Sequence, residues 1–150
     1  MNILTNAKEL FAAAFGKEEA YNVAVITEND ILAAESRHVC PVLGEALVAA
    51  LARGEYGALR SDYVVPAVAA WVRYIVEPHL AERCSHCSAT SSKDEELLGL
   101  RLAHLRRHAQ SLTRRLSDEL NRNEASYAEY NPEVNPLNHC SIDGGVVQIF

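Results

Sequence analysis

Four side chains have the donor types of a tetrahedral metal site: Cys84 and Cys87 in "RCSHCS", and His139 and Cys140 in "NHCSID". Zinc takes thiolate sulfur and imidazole nitrogen in such sets. The first pair has knuckle spacing. The second pair is adjacent, and consecutive side chains point apart, most of all in extended chain. Structural zinc sites take their second pair at wider spacing. A chain of this length also builds a core without a metal staple. The expectation is therefore free, reduced thiols and no cofactor. A zinc site through Cys84, Cys87, His139 and Cys140 stands as the alternative. A redox dithiol needs a helix N-terminus directly after the first cysteine to lower its pKa. Here the pair follows the end of one helix and precedes the Ser/Thr-rich "SATSS".

Other constellations are thinner. His104 and His108 lie one helical turn apart, but Leu105 stands where a zincin carries its glutamate base. With Arg106 and Arg107 between them, the pair reads as a solvated flank. No G-x-S-x-G and no phosphate-binding glycine loop occurs. Arg101, Arg106, Arg107, Arg114 and Arg115 form a basic strip that could meet a nucleic-acid backbone. The net charge of −6 argues against a dedicated nucleic-acid binder. A solvated face, or pairing with the acidic end of this or another copy, is the better reading. From position 123 onward that end carries Glu124, Glu129, Glu133 and Asp143 and no Lys or Arg. Nothing assembles a catalytic constellation, so a non-enzyme is expected.

The elements that must position these residues are helical. Apolar residues are 49% of the 150, rich in Ala and Leu, enough for one packed core. The start lacks the basic and apolar regions of a signal peptide, and no run of about 18 apolar residues exists to cross a membrane. A chain made and kept in a cytosol follows. Thr5 is the expected cap of a first helix ending at Gly16. "YNVAVI" reads as a short extended segment. Thr27, with Asp30 three residues on, opens a second helix as a variant capping box, and Pro41 ends it and starts the next. Leu43, Leu47, Val48 and Leu51 give that third helix its apolar face. Gly44 inside it costs about 1 kcal/mol relative to Ala, which suggests a close helix crossing. Gly54 ends it and "EYGALRSD" reads as a turn. "YVVPAVAAWVRYIVEP" is apolar around its circumference and predicts a central buried helix, with Pro78 kinking or ending it.

The longest element begins with the capping box "SKDE" at Ser92–Glu95. Leu98, Leu102, Leu105, Ala109, Leu112 and Leu116 then form a heptad-like seam to about Asn121. The expected fold is all-α: a bundle of four to five helices over residues 1–126, then an extended arm over 127–150. In the arm, Gly144-Gly145 signals a turn. Val146, Val147, Ile149 and Phe150 predict a short strand, which needs a partner. "MNIL", "NVAVI" and a neighbouring subunit are the candidates.

The stretch "ILAAESRHVCPVLGEALVAALARGEYGALRSDYVVPAVAAWVRYIVEP" resembles the head–tail connector (adaptor, head-completion) proteins of tailed bacteriophages and prophages, above all those of Bacteroides-type phages. The likeness rests on Ala34-Glu35, Pro41, Leu43-Gly44, Leu47, Tyr56, Tyr63-Val64, Pro66 and Arg73-Tyr74. It extends to the ending "YNPEVNPLNHCSIDGGVVQIF", with Asn138, Cys140 and Gly144-Gly145. The resemblance implies a structural subunit that assembles into a ring under the portal. Such a ring prolongs the DNA channel and joins head to tail. Portal and tail-completion proteins would be its neighbours, and DNA would pass without sequence-specific contact. It would be found in the host cytoplasm during assembly and then in the virion neck. Tyr127, Tyr130, Asn138, Gly144, Gly145, Val146, Val147, Ile149 and Phe150 are the expected assembly residues. The competing reading is a cytosolic helical binding or regulatory module, with or without a zinc staple through Cys84, Cys87, His139 and Cys140.

Overall fold

The structure is a computed structural model, and it describes residues 4–16, 21–83, 92–143 and 146–149. Helix α1 (Ala7–Phe15) is capped by Asn6, whose side chain accepts the Glu9 N–H at 2.9 Å. Thr5, the expected cap, turns inward instead. Its hydroxyl donates to the buried carboxylate of Glu35 at 2.6 Å. Gly16, at φ 60°, ends α1 as expected. "YNVAVI" is not extended. Val23–Val25 coil into a 3-10 turn because the Asn22 side chain accepts the Ala24 N–H at 2.9 Å.

Thr27 and Asp30 form the predicted capping box at the start of α2 (Glu28–Ala34). This helix does not stop at Pro41. It widens into a π-helical turn, Glu35–Val39, and runs on into α3 (Cys40–Leu43). The widened turn accommodates a residue that has no N–H and whose ring crowds the carbonyl four positions back. The last N–H before the proline, that of Cys40, bonds to Glu35 O. The same device recurs ahead of Pro66. There a π turn, Arg60–Val64, closes with the Val65 N–H on Arg60 O.

Gly44 separates α3 from α4 (Glu45–Ala52) at φ 78°, ψ 156°, a conformation that belongs to glycine. A Cβ there would meet nothing within 4 Å, so the expected close crossing is absent. The glycine is required by the backbone, not by a neighbour. "EYGALRSD" is likewise no simple turn. Tyr56, in the left-handed region at φ 54°, starts α5 (Gly57–Leu59), which continues through the π turn into α6 (Val65–Val76).

Helix α6 is central, as its composition predicts. Val65, Val76 and the run from Ala67 to Val72 are buried, and the helix packs on α1, α2 and α8. Pro78 gives a 3-10 turn, Glu77–His79, before the short α7 (Leu80–Arg83). Helix α8 (Ser92–Arg122) has 31 residues, about 46 Å at 1.5 Å per residue. Its seam is buried at Ala109, Leu116 and also Leu120. Leu98, Leu102, Leu105 and Leu112 are half-buried. Leu97 and Leu100 are exposed. The Ser92 side chain, the expected cap, lies outside the described residues.

Strand β1 (Cys140–Asp143) pairs antiparallel with β2 (Val146–Ile149), in the register Cys140↔Ile149 to Asp143↔Val146. Among the described residues the strand-forming end pairs with its own tail and not with "NVAVI"; residues 1–3 of "MNIL" lie outside them. Proximity decides this, since two residues of separation cost the least loop entropy. The body is α-helical. One cluster of buried side chains runs from Leu4 and Leu10 through α6 to Leu120 and Tyr130.

Candidate functional site

The arm begins by clinging to the body through polar side chains. Tyr127 sets its ring edge-on to Tyr56 at 5.4 Å and its hydroxyl 3.2 Å from Glu119. Tyr56 in turn donates to Glu129 at 2.5 Å. The Asn123 amide, joined by the Tyr63 and Tyr127 hydroxyls, holds the Glu119 carboxyl below its ordinary pKa against the cost of burial. Tyr130 is buried. Its hydroxyl donates to Asn121 at 2.6 Å and accepts from Asn135 at 2.8 Å. Asn135 is fully buried and also donates to Ser117 Oγ at 2.8 Å, while its oxygen accepts the Leu137 N–H at 3.0 Å. Asn121 and Asn138 exchange amide bonds of 2.7 and 3.0 Å, and Asn138 also donates to the carbonyl of Pro132 at 2.9 Å. These bonds satisfy the asparagines that make the sequence look like loose coil.

Of the expected assembly residues, Tyr127, Tyr130 and Asn138 therefore form this anchor. Val146, Val147 and Ile149 form β2. Gly144, Gly145 and Phe150 lie outside the described residues. Neither β1 nor β2 has a second strand beside it among the described residues. What the arrangement offers is a row of backbone donors and acceptors on each outer edge of the hairpin.

Of the zinc candidates, Cys84 and Cys87 lie outside the described residues. His139 is exposed, with its Nε2 2.7 Å from Glu133 O, and Cys140 begins β1. Among the described residues no three His, Cys, Asp or Glu groups converge to hold a metal. The Cys40 thiol is half-buried. Burial and the nearby Glu35 carboxylate push it up to about 11, so it is not a nucleophile at neutral pH. His104 and His108 are exposed on α8. No helix of the described residues is long and apolar enough to cross a membrane.

The basic strip does not act as one surface. Arg101 donates to Glu77 at 2.8 Å, and Glu77 also receives Arg73 at 2.9 Å. Arg115 lies over the Tyr63 ring at 5.2 Å. Arg106 and Arg114 instead border a cleft of about 430 Å³, where the α2–α3 region, α6, α8 and the anchored tail meet. In it the His38 ring stacks on Trp71, centroids 3.6 Å apart and planes 6° from parallel. The Trp71 indole donates to Thr113 at 2.8 Å, which fixes the stack. Burial, reinforced by Arg37 and Arg106, holds the His38 pKa below its ordinary value. Sequence reasoning missed this cleft because it joins residues from four distant segments. The only local clue was Arg106, Gln110 and Arg114 at four-residue spacing along one helix face. Comparison with protein-family models, with curated proteins and with solved structures finds no match.

Proposed function

We propose that the chain is a structural subunit of a phage or prophage head–tail connector, assembling as a ring beneath the portal and extending the DNA channel towards the tail. The observation that carries the reading is the terminal hairpin. Two strands of four residues are too little to stand alone in water, and both outer edges are open among the described residues. An edge of this kind is completed by adding a strand from another chain. A helical body that anchors the tail through Tyr130, Asn135 and Asn138 holds the chain leading into the hairpin. Repetition of one unlike-to-unlike contact around a closed rotation makes a ring. The sequence resemblance to connector proteins points the same way.

A helical binding module is the second reading, and the basic cleft is the observation that favours it. Electron microscopy of the purified chain, concentrated and then mixed with its cognate portal protein, separates the two. Rings in either condition support the connector. A monomer that ignores the portal in both sinks it.

A further inference from the structure

The cleft at His38 has features that ring assembly does not require. Its floor is a flat aromatic stack: Trp71 covers one face of His38, and the imidazole itself lines the open space. Its wall on α8 is Arg106, Gln110 and Arg114, spaced four residues apart, so the backbone rises about 12 Å along the helix from the first to the last at 1.5 Å per residue. Arg37, from the π turn before Pro41, also lines it. Among the described residues no carboxylate pairs with Arg37, Arg106 or Arg114, in a chain whose net charge is −6. Unpaired guanidinia gathered on one cleft favour an anion, and their planar forks match a phosphate. A flat ring stacks on an exposed aromatic face. The volume of about 430 Å³ lies within the range of small-molecule sites.

We propose that this cleft binds a nucleotide, with its ring on the His38 imidazole and its phosphate along the Arg106–Gln110–Arg114 wall. The indole–Thr113 bond holds the platform flat before the ligand arrives. The same chemistry occurs in a free mononucleotide and in a unit of a single strand.

Trp71 is the single tryptophan and is the base of the stack, so its fluorescence reads the cleft directly. The experiment titrates the full chain with adenosine 5′-monophosphate, inorganic phosphate, adenosine and a six-nucleotide thymidine strand. A saturable change with the monophosphate is expected, weaker by about tenfold for adenosine or phosphate alone, as for loss of one charged or stacking contact. R106A/R114A, both exposed positions, weakens it by at least about tenfold while the circular dichroism melt is unchanged. Tighter binding of the thymidine strand assigns the nucleotide to nucleic acid, and tighter binding of the monophosphate to a free ligand. No saturable change with either nucleotide form overturns the proposal. So does binding that the folded double variant retains, or equal affinity for phosphate and for the monophosphate.

Discussion

Replacing Glu35 by glutamine should destabilise the fold more than any other single isosteric change. Glu35 is 1% exposed and sits in the π turn behind α2. Its carboxylate accepts the Leu4 N–H at 3.0 and 3.1 Å, the Thr5 N–H at 3.0 Å and the Thr5 hydroxyl at 2.6 Å. It thereby pins the entry to α1 onto a turn 30 residues away. Arg60 backs the same junction by donating to Leu4 O at 3.0 Å while gripping Glu9 through two further bonds of 2.7 and 2.9 Å. Every group facing Glu35 in this set is a donor. An amide has one acceptor oxygen, and its NH₂ meets a donor it cannot satisfy. Hydrogen bonds to a charged group contribute about 1.5–3 kcal/mol each, and one buried donor left unpaired costs about 1–3 kcal/mol. Losing one such bond and orphaning one donor gives a loss of about 3–5 kcal/mol for E35Q. At 150 residues each kcal/mol moves Tm by about 2–4 °C, so the melt should fall by at least about 6 °C. Thr5→Val removes only the hydroxyl bond and should cost about half as much. Urea denaturation followed by circular dichroism measures both. An E35Q midpoint within about 0.5 kcal/mol of the parent would refute the claim that this carboxylate organises the N-terminal junction.

The anchor makes a parallel prediction: Asn135→Ala should cost about 2–4 kcal/mol, since it strips bonds from Ser117, Tyr130 and Leu137 at a fully buried site. The same urea titration checks it, and a neutral result would mean the tail is not held by this network. Gly44→Ala should destabilise by about 1–3 kcal/mol because of its backbone alone, there being space for the methyl group. Stability should also fall with acid in two stages. The folded state holds His38 with a lowered pKa, so the unfolded chain takes up a proton first as pH drops below 6.5, and folding weakens there. Asp30 pays a desolvation cost, but its bonds from Arg83 and Thr27 outweigh it and keep its pKa below 3.8; that stability is present above 3.8 and is lost as pH falls through the folded value. Urea midpoints from pH 8 to pH 3 should show both stages, and His38→Gln should remove the first.

What could be read from the sequence was what neighbours within one turn decide. Thr27 and Asp30 cap each other across three residues, Gly16 and Gly54 end helices by their own backbone freedom, and the apolar circumference of α6 requires burial. What could not be read depends on distant partners. Thr5 and Asn6 are both good caps, and only Glu35, far along the chain, draws Thr5 away and leaves the cap to Asn6. Glu35 itself looks like a surface acid until the donors that bury it are in place. Pro41 reads as a break because a π turn leaves no mark in composition; the helices through Pro41 and Pro66 each pass the proline by widening just before it. The asparagine-rich tail lacks periodicity because its order comes from side-chain amides meeting Ser117 and Asn121 on α8, not from a buried apolar stripe. The cleft shares that character, since His38, Trp71 and Arg106 are 33 and 35 residues apart in turn.

The most direct test of the assembly reading compares the full chain with a chain ending at His139, which keeps the Tyr130–Asn135 anchor and lacks only β1 and β2. Both are mixed with cognate portal protein and imaged by electron microscopy. The account predicts that the full chain forms rings on the portal and that the shortened chain, folded by its circular dichroism melt, stays monomeric. Rings from the shortened chain, or none from either, would contradict it.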